Sequence, residues 1–249
     1  ADVSSLEKSL SEGISRIKPG GKKVVILLPE LSQKVFVFPF DALPSSPEEK
    51  EELIRFRVKK QLPLLPRDAR MAFETTSTQE GSWVVVAVAK AAVVREYEDL
   101  LHKLHYKVTL AGVPSLSLLN LLDRGTERDV ILLDVEDDSF SLLAVIEGQA
   151  SLYRQKPFGI GAAGEGEATA KADNILQELV NTINFIWDKD KKKIASVWVR
   201  LGILQSGDSL YGRMEERLTL PLRRIESSFP QELEGDNKRI LSPLVGQIS

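Results

Sequence analysis

Apolar and polar positions alternate along the chain with the periods of both strands and helices, which predicts a mixed α/β protein. Near the centre, two apolar runs, Asp129–Val135 and Phe140–Ile146, are joined by an acidic turn and followed by a third run, Gln149–Arg154. The first run is almost wholly apolar, as in a strand that is covered on both faces, and the short connections predict an antiparallel meander. After a glycine-rich loop, a helical pattern covers Glu167–Trp187.

The first half of the chain predicts strands and helices in mixed order. Its clearest signal is Ser46-Pro47 followed by Glu49, which has the sequence of a helix N-cap with a capping box. We expect Leu53 and Phe56 to pack the inner face of that helix. An earlier helix is predicted to end at a Pro-Gly-Gly sequence. The remaining predicted elements are the strands Lys23–Pro29, Lys34–Phe40, Ala69–Ser77, Trp83–Ala89 and Tyr106–Val113 and the helices Lys90–His105 and Pro114–Leu122.

The second half continues after the central meander and its long helix. We expect two lobes, residues 1–125 and residues 126–249, with the boundary near Gly125. The elements predicted after the long helix are a strand over Ser196–Leu201, a helix over Ser209–Arg217, a strand over Leu220–Ile225 and an apolar turn over Ile240–Ile248. The charged segments Asp188–Lys193 and Ser227–Arg239 are predicted to be solvated loops.

Composition excludes several classes of function. The chain has 249 residues and a net charge of -3, from 33 basic and 36 acidic residues, which argues against a nucleic-acid-binding protein. Cysteine is absent, so the sequence offers no disulfide, thiolate nucleophile or cysteine metal ligand, as is typical of a reducing cytoplasm. The longest apolar runs, Val24–Pro29 and Trp83–Ala89, are far shorter than the ~18 residues that span a bilayer.

The glycine-rich loop Gly159–Gly164 has the spacing GxGxxG. A dinucleotide site would need the preceding strand to begin a βαβ unit, whereas here that strand belongs to a predicted antiparallel hairpin. The acidic residue about 20 positions further on, Glu178, falls inside a helix rather than at a strand end. The loop is therefore interpreted as a flexible linker or as the remnant of a phosphate loop.

The two histidines, His102 and His105, lie three residues apart at a predicted helix end. This spacing could offer two imidazoles to one metal ion. No carboxylate follows one helical turn later, so we expect surface histidines and no metal site. A hydrolase triad has no support in the sequence.

Several segments resemble, by their order along the chain, those of a known protein family. The segments are Val24–Pro29 with Lys34–Phe40, Glu48–Pro66, Trp83–Lys90, Val108–Pro114, Val130–Leu143 and Leu241–Ile248. Together they are similar to the PilM family, the actin-like cytoplasmic proteins of type IV pilus machines, and to the cytoplasmic domain of the type II secretion protein GspL. The resemblance implies an α/β, actin-like (ribonuclease H-like) two-lobe fold with mixed sheets. The usual N-terminal phosphate-loop hairpin is expected to be lacking.

The nucleotide site that this resemblance implies is degenerate. Asp134-Val135-Glu136 stands where Asp-x-Gly is expected, and the acidic turn after Asp134 places negative charge where phosphates would lie. In the strand that would receive adenosine, only Gly202 matches. The residues of this degenerate site are Asp134, Ser139, Gly159, Gly161 and Gly202. We expect no cofactor and no catalysis, a pseudo-ATPase. The alternative is an ATP-binding actin-like switch that uses Mg²⁺ and Asp134.

A partner-binding surface is the other functional candidate. Six apolar residues of the first lobe are candidates either for its core or for an exposed interaction patch, namely Phe36, Phe38, Phe40, Leu62, Leu64 and Leu65. In the resembling family this lobe holds a groove that captures the N-terminal tail of a membrane partner, PilN. The functional hypothesis is a non-catalytic cytoplasmic scaffold at the inner membrane, which binds the cytoplasmic tail of a PilN-like or other bitopic protein.

Overall fold

A computed structural model describes residues 3–17, 20–78, 81–122, 127–158, 165–202, 207–225, 242–244 and 247. In chain order its elements are α1 (Val3–Ile17), β1 (Lys23–Leu27), β2 (Gln33–Phe40), α2 (Pro47–Gln61), β3 (Arg70–Thr78), β4 (Gly81–Ala89), α3 (Ala91–Lys103), β5 (Lys107–Gly112), α4 (Pro114–Ser117), β6 (Val130–Val135), β7 (Ser139–Ile146), β8 (Gln149–Pro157), α5 (Glu165–Asp190), β9 (Ser196–Leu201), α6 (Gly207–Arg217) and β10 (Leu222–Arg224). Two 3-10 turns cover Glu30–Ser32 and Leu118–Leu121.

The strands form three sheets within the described residues. A two-stranded sheet pairs β1 with β5 in parallel, and a three-stranded antiparallel sheet has the order β2-β4-β3. The third sheet is mixed and has the order β10-β9-β6-β7-β8. Its strands β6, β7 and β8 form the predicted antiparallel meander, and β9 adds to β6 in parallel.

The five-stranded sheet is covered on both faces, as the apolar run in β6 predicted. Every residue of β6 and β7 is buried. One face packs against α5 and α6, with Leu133, Leu142 and Leu179 in its core. The opposite face buries Leu132 and Leu143 against Leu118 of the 3-10 turn. Each such leucine stabilises the fold by roughly 1.5–3 kcal/mol, so this double-sided core fixes the sheet that carries the candidate site.

The three-stranded sheet is covered on one face by α2. Ser46 caps that helix, because its hydroxyl accepts a hydrogen bond from the backbone N–H of Glu49 at 3.4 Å, as predicted. The Ser46 hydroxyl itself donates to the carboxylate of Glu48 at 2.8 Å. Ile54 and Val58 are the fully buried residues of the helix.

The prediction for Phe56 is wrong, because its side chain is 55% exposed on the outer side of α2. It lies against Lys60 instead, with the ammonium 4.6 Å from the ring centroid. Leu53 is half-buried and packs against the core beneath the helix, as expected. The inner face of α2 is therefore narrower than the sequence pattern indicated.

The remaining sequence predictions place most elements correctly and miss some boundaries. The strand β8 runs to Pro157 and the helix α5 runs to Asp190, both beyond their predicted ends. His105 adopts a left-handed backbone conformation, with φ of 64°, where the chain leaves α3. The predicted lobe boundary at Gly125, the loop 227–239 and most of the apolar turn 240–248 lie outside the described residues. The division into two lobes stays a prediction.

Candidate functional site

A buried ion cluster lies at the carboxyl end of β6, where the nucleotide site was expected. Asp134 of β6 pairs in register with Arg200 of the neighbouring strand β9. The Arg200 guanidinium donates to the Asp134 carboxylate at 2.9 Å and also to the carboxylate of Glu136. Asp134 and Arg200 are both almost fully buried. We call Asp134, Glu136 and Arg200 the acid–arginine cluster.

Gly202 is held against this cluster by the end of β9. Its backbone N–H donates to the carbonyl of Val135 at 2.7 Å, which brings the two strand ends together. A Cβ atom at this position would lie 2.4 Å from Glu136 Oε2 and 2.8 Å from Arg200 Nη1. Glycine therefore allows the close approach of the Glu136 and Arg200 side chains here.

Burial has the largest single effect on the pKa values of the acid–arginine cluster. Burial raises the pKa of Asp134 from 3.8 to about 6, although the Arg200 charge opposes this. Burial also raises the pKa of Glu136, again against the effect of Arg200. For Arg200, burial lowers the pKa, but the two carboxylates outweigh it and the pKa is raised. The guanidinium thus stays charged and compensates the buried carboxylate of Asp134 and the partly exposed carboxylate of Glu136.

A second polar group connects the first half of the chain to the mixed sheet. Glu30, in the first 3-10 turn, accepts hydrogen bonds from Ser115 of α4 at 2.6 Å and from Tyr153 of β8. The Ser115 and Tyr153 hydroxyls are also 3.0 Å apart. Burial raises the pKa of Glu30, and burial together with the Glu30 charge raises that of Tyr153. We call these three residues the Glu30 cluster.

Three buried oxygen atoms next to these clusters make no hydrogen bond within the described part of the chain. They are Glu30 Oε2, Asp134 Oδ2 and Ser141 Oγ. Ser141 pairs in register with Asp134, so both side chains lie on the same face of the sheet. The negative charge of Glu30 raises the pKa of Asp134 further. Protonation of Asp134 or of Glu30 therefore removes the repulsion between their two carboxylates.

The predicted nucleotide residues are only partly brought together. Asp134 and Gly202 both contact Arg200, whereas Ser139 is buried and its hydroxyl donates to Asp138 at 2.8 Å. Gly159 and Gly161 lie outside the described residues. The acidic turn was expected to place negative charge where phosphates would lie, and Arg200 balances part of that charge by binding Glu136. Sequence reasoning missed Arg200, although a lone arginine in an otherwise apolar strand was a signal that could have revealed it.

The six predicted partner-binding residues do not form one surface. Phe40 is buried, and Phe36 and Phe38 are half-buried beneath α2 with their rings stacked at 5.8 Å. Leu65 packs against the same core, and Leu62 is half-buried after α2. Leu64 is 91% exposed. The phenylalanines thus contribute mainly to the core of the three-stranded sheet.

A groove that the sequence did not predict runs along the other face of that sheet. Two cavities of about 370 and 390 Å³ adjoin each other and share Glu74, Val85 and Leu119 as lining residues. One wall consists of β3 and β4. The other consists of β5, α4 and the second 3-10 turn in the cavity of about 370 Å³, and mainly of residues of the mixed sheet and its connections in the cavity of about 390 Å³. Leu110 of β5 lies in this wall and is 46% exposed. We call it the sheet-back groove.

Metal and membrane features are not found within the described residues. No group of three His, Asp or Glu side chains in these ranges is placed to hold a metal ion. His102 and His105 are exposed, as predicted. None of the helices in the described ranges is long and apolar enough to cross a membrane.

Comparison with known proteins identifies the fold. The chain is similar to the solved structure of a PilM–PilN type IV pilus biogenesis complex, with a TM-score of 0.72 and 17% sequence identity over 99% of this chain and 83% of that one. It is also similar to the cytoplasmic domain of EpsL, an inner-membrane component of the type II secretion system of Vibrio cholerae, with a TM-score of 0.55 and 11% identity over 97% and 79%. No protein-family model matches, and no curated protein matches.

The chain therefore has an actin-like fold, and the predicted fold class is confirmed. The resemblance to the pilus and secretion proteins is likewise confirmed for the fold. The binding partners of those proteins are properties of those proteins, and for this chain they only support a proposal.

Proposed function

We propose that this chain is a non-catalytic cytoplasmic scaffold of a type IV pilus or type II secretion assembly platform at the inner membrane. It binds the cytoplasmic tail of a bitopic, PilN-like protein. The likeness of fold to the PilM–PilN complex supports both the machinery and the kind of partner. The observation that carries the proposal is the sheet-back groove, which is open, partly apolar and bordered by outer strands.

The groove suits an extended peptide. In the described residues β3 is an outer strand of its sheet, and β5 belongs to a sheet of only two strands. An extended tail can hydrogen-bond to such an edge while alternate side chains enter pockets. Leu110, Leu116 and Val85 supply apolar contacts inside the groove. This mode of binding needs no catalytic group.

The charged residues that line the groove determine which tail sequences it can bind. Its lining contains three acidic residues, Glu74, Glu127 and Glu147, and one basic residue, Arg128, which gives a net charge of -2. Glu127 and Glu147 have ion-pair partners in Arg223 and Lys192, whereas Glu74 lies exposed where the two cavities meet. We expect the bound tail to alternate apolar residues with lysine or arginine.

The acid–arginine cluster supports the non-catalytic part of the proposal. Phosphate sites usually present backbone N–H groups and cationic side chains to the ligand. Here the cation Arg200 is bound to Asp134 and Glu136, so a nucleotide would meet two carboxylates and an occupied guanidinium. We infer that the cluster substitutes for a nucleotide as the polar filling at the end of β6.

Titration of the chain with a synthetic peptide of the cytoplasmic residues of a PilN-like protein tests the proposal. Leu110→Asp should weaken binding by at least about tenfold, because it puts a charge into an apolar contact. Leu64→Asp is the matched control, since it makes the same change at a leucine that is exposed outside the groove. Absence of binding by the unaltered chain contradicts the proposal. Weakening by Leu64→Asp alone would move the site to the six residues predicted from the sequence.

A further inference from the structure

The helix α5 carries two apolar stripes, although a surface helix usually needs only one. The first stripe, which includes Ile175, Leu179 and Ile186, is buried against the mixed sheet. The second consists of Leu176, Val180, Ile183 and Trp187, at spacings of four, three and four residues. Val180 is 47% exposed and Trp187 is 44% exposed. The second stripe is therefore only partly covered by the described part of the chain.

This second stripe forms one wall of a groove of about 900 Å³, which we call the α5 groove. The opposite wall is provided by Ile194, which is buried, and by Leu218 and Leu220, which are half-buried. Leu176 is buried, so the exposed part of the stripe runs from Val180 to Trp187, seven residue steps or about 10 Å. Side chains repeating every three to four residues are the pattern by which one helix receives another.

The charged residues that line the α5 groove indicate which kind of partner can bind there. The lining contains three basic residues, Lys192, Lys193 and Arg217, and one acidic residue, Asp173. Arg217 pairs with Asp173 and Lys192 pairs with Glu147, so Lys193 is the basic lining residue that has no counter-ion among the described ion pairs. The whole chain has a net charge of -3. The Lys193 ammonium lies 5.9 Å from the centroid of the Trp187 ring, so positive charge borders the exposed aromatic surface directly.

We propose that the α5 groove is a docking site for an amphipathic helix of a partner protein that carries acidic residues beside its apolar stripe. A second copy of this chain fits less well, because a two-fold contact would bring Lys193, beside the exposed Trp187, from both copies into one interface with no unpaired acidic residue in the described lining to balance it. The site lies on α5, on Arg217 of α6 and on the segments 192–194 and 218–220, and it shares no lining residue with the sheet-back groove, although its Lys192 pairs with Glu147 of that groove. It does not depend on the tail-binding proposal.

Two synthetic amphipathic helices of about 18 residues, long enough to keep some helicity, test the proposal. Both peptides have the same leucine spacing, and one has glutamate and the other lysine beside the stripe. Fluorescence anisotropy with the full chain should show at least about tenfold tighter binding of the glutamate peptide. The double variant Lys193→Glu with Arg217→Glu should reverse this preference.

Further variants locate the contact. Val180→Asp should abolish binding of the glutamate peptide, while Leu110→Asp, in the sheet-back groove, should leave it unchanged. Equal binding of the two peptides, no binding of either, or no response to the double charge reversal overturns the proposal. A dimer in sedimentation equilibrium that Val180→Asp dissociates would also overturn it, because the occupant would then be a second copy.

Discussion

Replacing Asp134 by asparagine should remove a pH dependence that this buried carboxylate imposes on stability. Asparagine has nearly the same shape and can still accept a hydrogen bond from Arg200, but it cannot ionise. In the native protein the Asp134 carboxylate is buried, has one oxygen bonded to Arg200 at 2.9 Å and leaves Oδ2 without a hydrogen-bond partner among the residues that the structure describes. Its charge is therefore more costly in the folded state than in water.

The folded protein holds the Asp134 proton more tightly than the unfolded chain does. Burial raises the pKa from 3.8 to about 6. Between these values the folded state binds more protons, so the free energy of unfolding falls as the pH rises. The stabilisation is complete below pH 3.8 and is lost as the pH rises through about 6. At about 1.36 kcal/mol per pKa unit, the loss is about 3 kcal/mol.

Urea unfolding of the native chain and of Asp134→Asn at intervals between about pH 4 and pH 7 measures this effect. The variant should gain about 3 kcal/mol relative to the native chain across the interval, because only the native chain loses the contribution. Asp99→Asn, at an exposed position of α3, should show no such trend. A difference between Asp134→Asn and the native chain that is constant with pH, or that falls as the pH rises, would refute the reasoning.

Four other substitutions have calculable effects on stability near neutral pH. Arg200→Leu should lower the free energy of unfolding in urea by about 3–5 kcal/mol, because it leaves Asp134 buried without a counter-ion. A loss below about 1 kcal/mol would contradict this. Gly202→Ala should cost about 1–3 kcal/mol, since its Cβ would lie 2.8 Å from Arg200 Nη1. Gly212→Ala, in α6 with open space around it, should instead stabilise the protein by about 0.5–1 kcal/mol. If Gly202→Ala and Gly212→Ala both stabilise or both destabilise the protein, the explanation of the two glycines is wrong. Ser46→Ala should lower stability by about 1 kcal/mol through loss of the α2 cap, seen as a lower midpoint of thermal unfolding.

Local signals in the sequence predicted most helices and strands, because a helix cap or an apolar period depends only on residues that lie near each other along the chain. The apolar run of β6 predicted a strand covered on both faces, and Ser46 predicted the start of α2. Phe56 shows the limit of this reasoning. The helical period places it near the inner face, but only the sheet beneath α2 decides how wide that face is, and the residue is exposed.

The candidate site depends on contacts between distant parts of the chain, so the sequence predicted it only partly. Asp134 was predicted as a site residue from the family resemblance, which places it where Asp-x-Gly is expected. Its partner Arg200 lies 66 positions later, and their contact follows from the parallel register of β6 and β9. The Glu30 cluster joins residues 85 and 123 positions apart. The sheet-back groove arises from the packing of separate elements, which no periodicity encodes.

The central claim is that the chain binds a partner's tail without needing a nucleotide, because Arg200 already fills the polar end of β6. Calorimetric titration with the PilN-like tail peptide in EDTA, repeated with Mg-ATP at millimolar concentration, tests this most directly. The account predicts binding in EDTA with the same affinity and heat in both titrations, and no heat from Mg-ATP alone. Tail binding that requires Mg-ATP, or micromolar binding of Mg-ATP that Asp134→Asn abolishes, would contradict it and indicate an actin-like nucleotide switch.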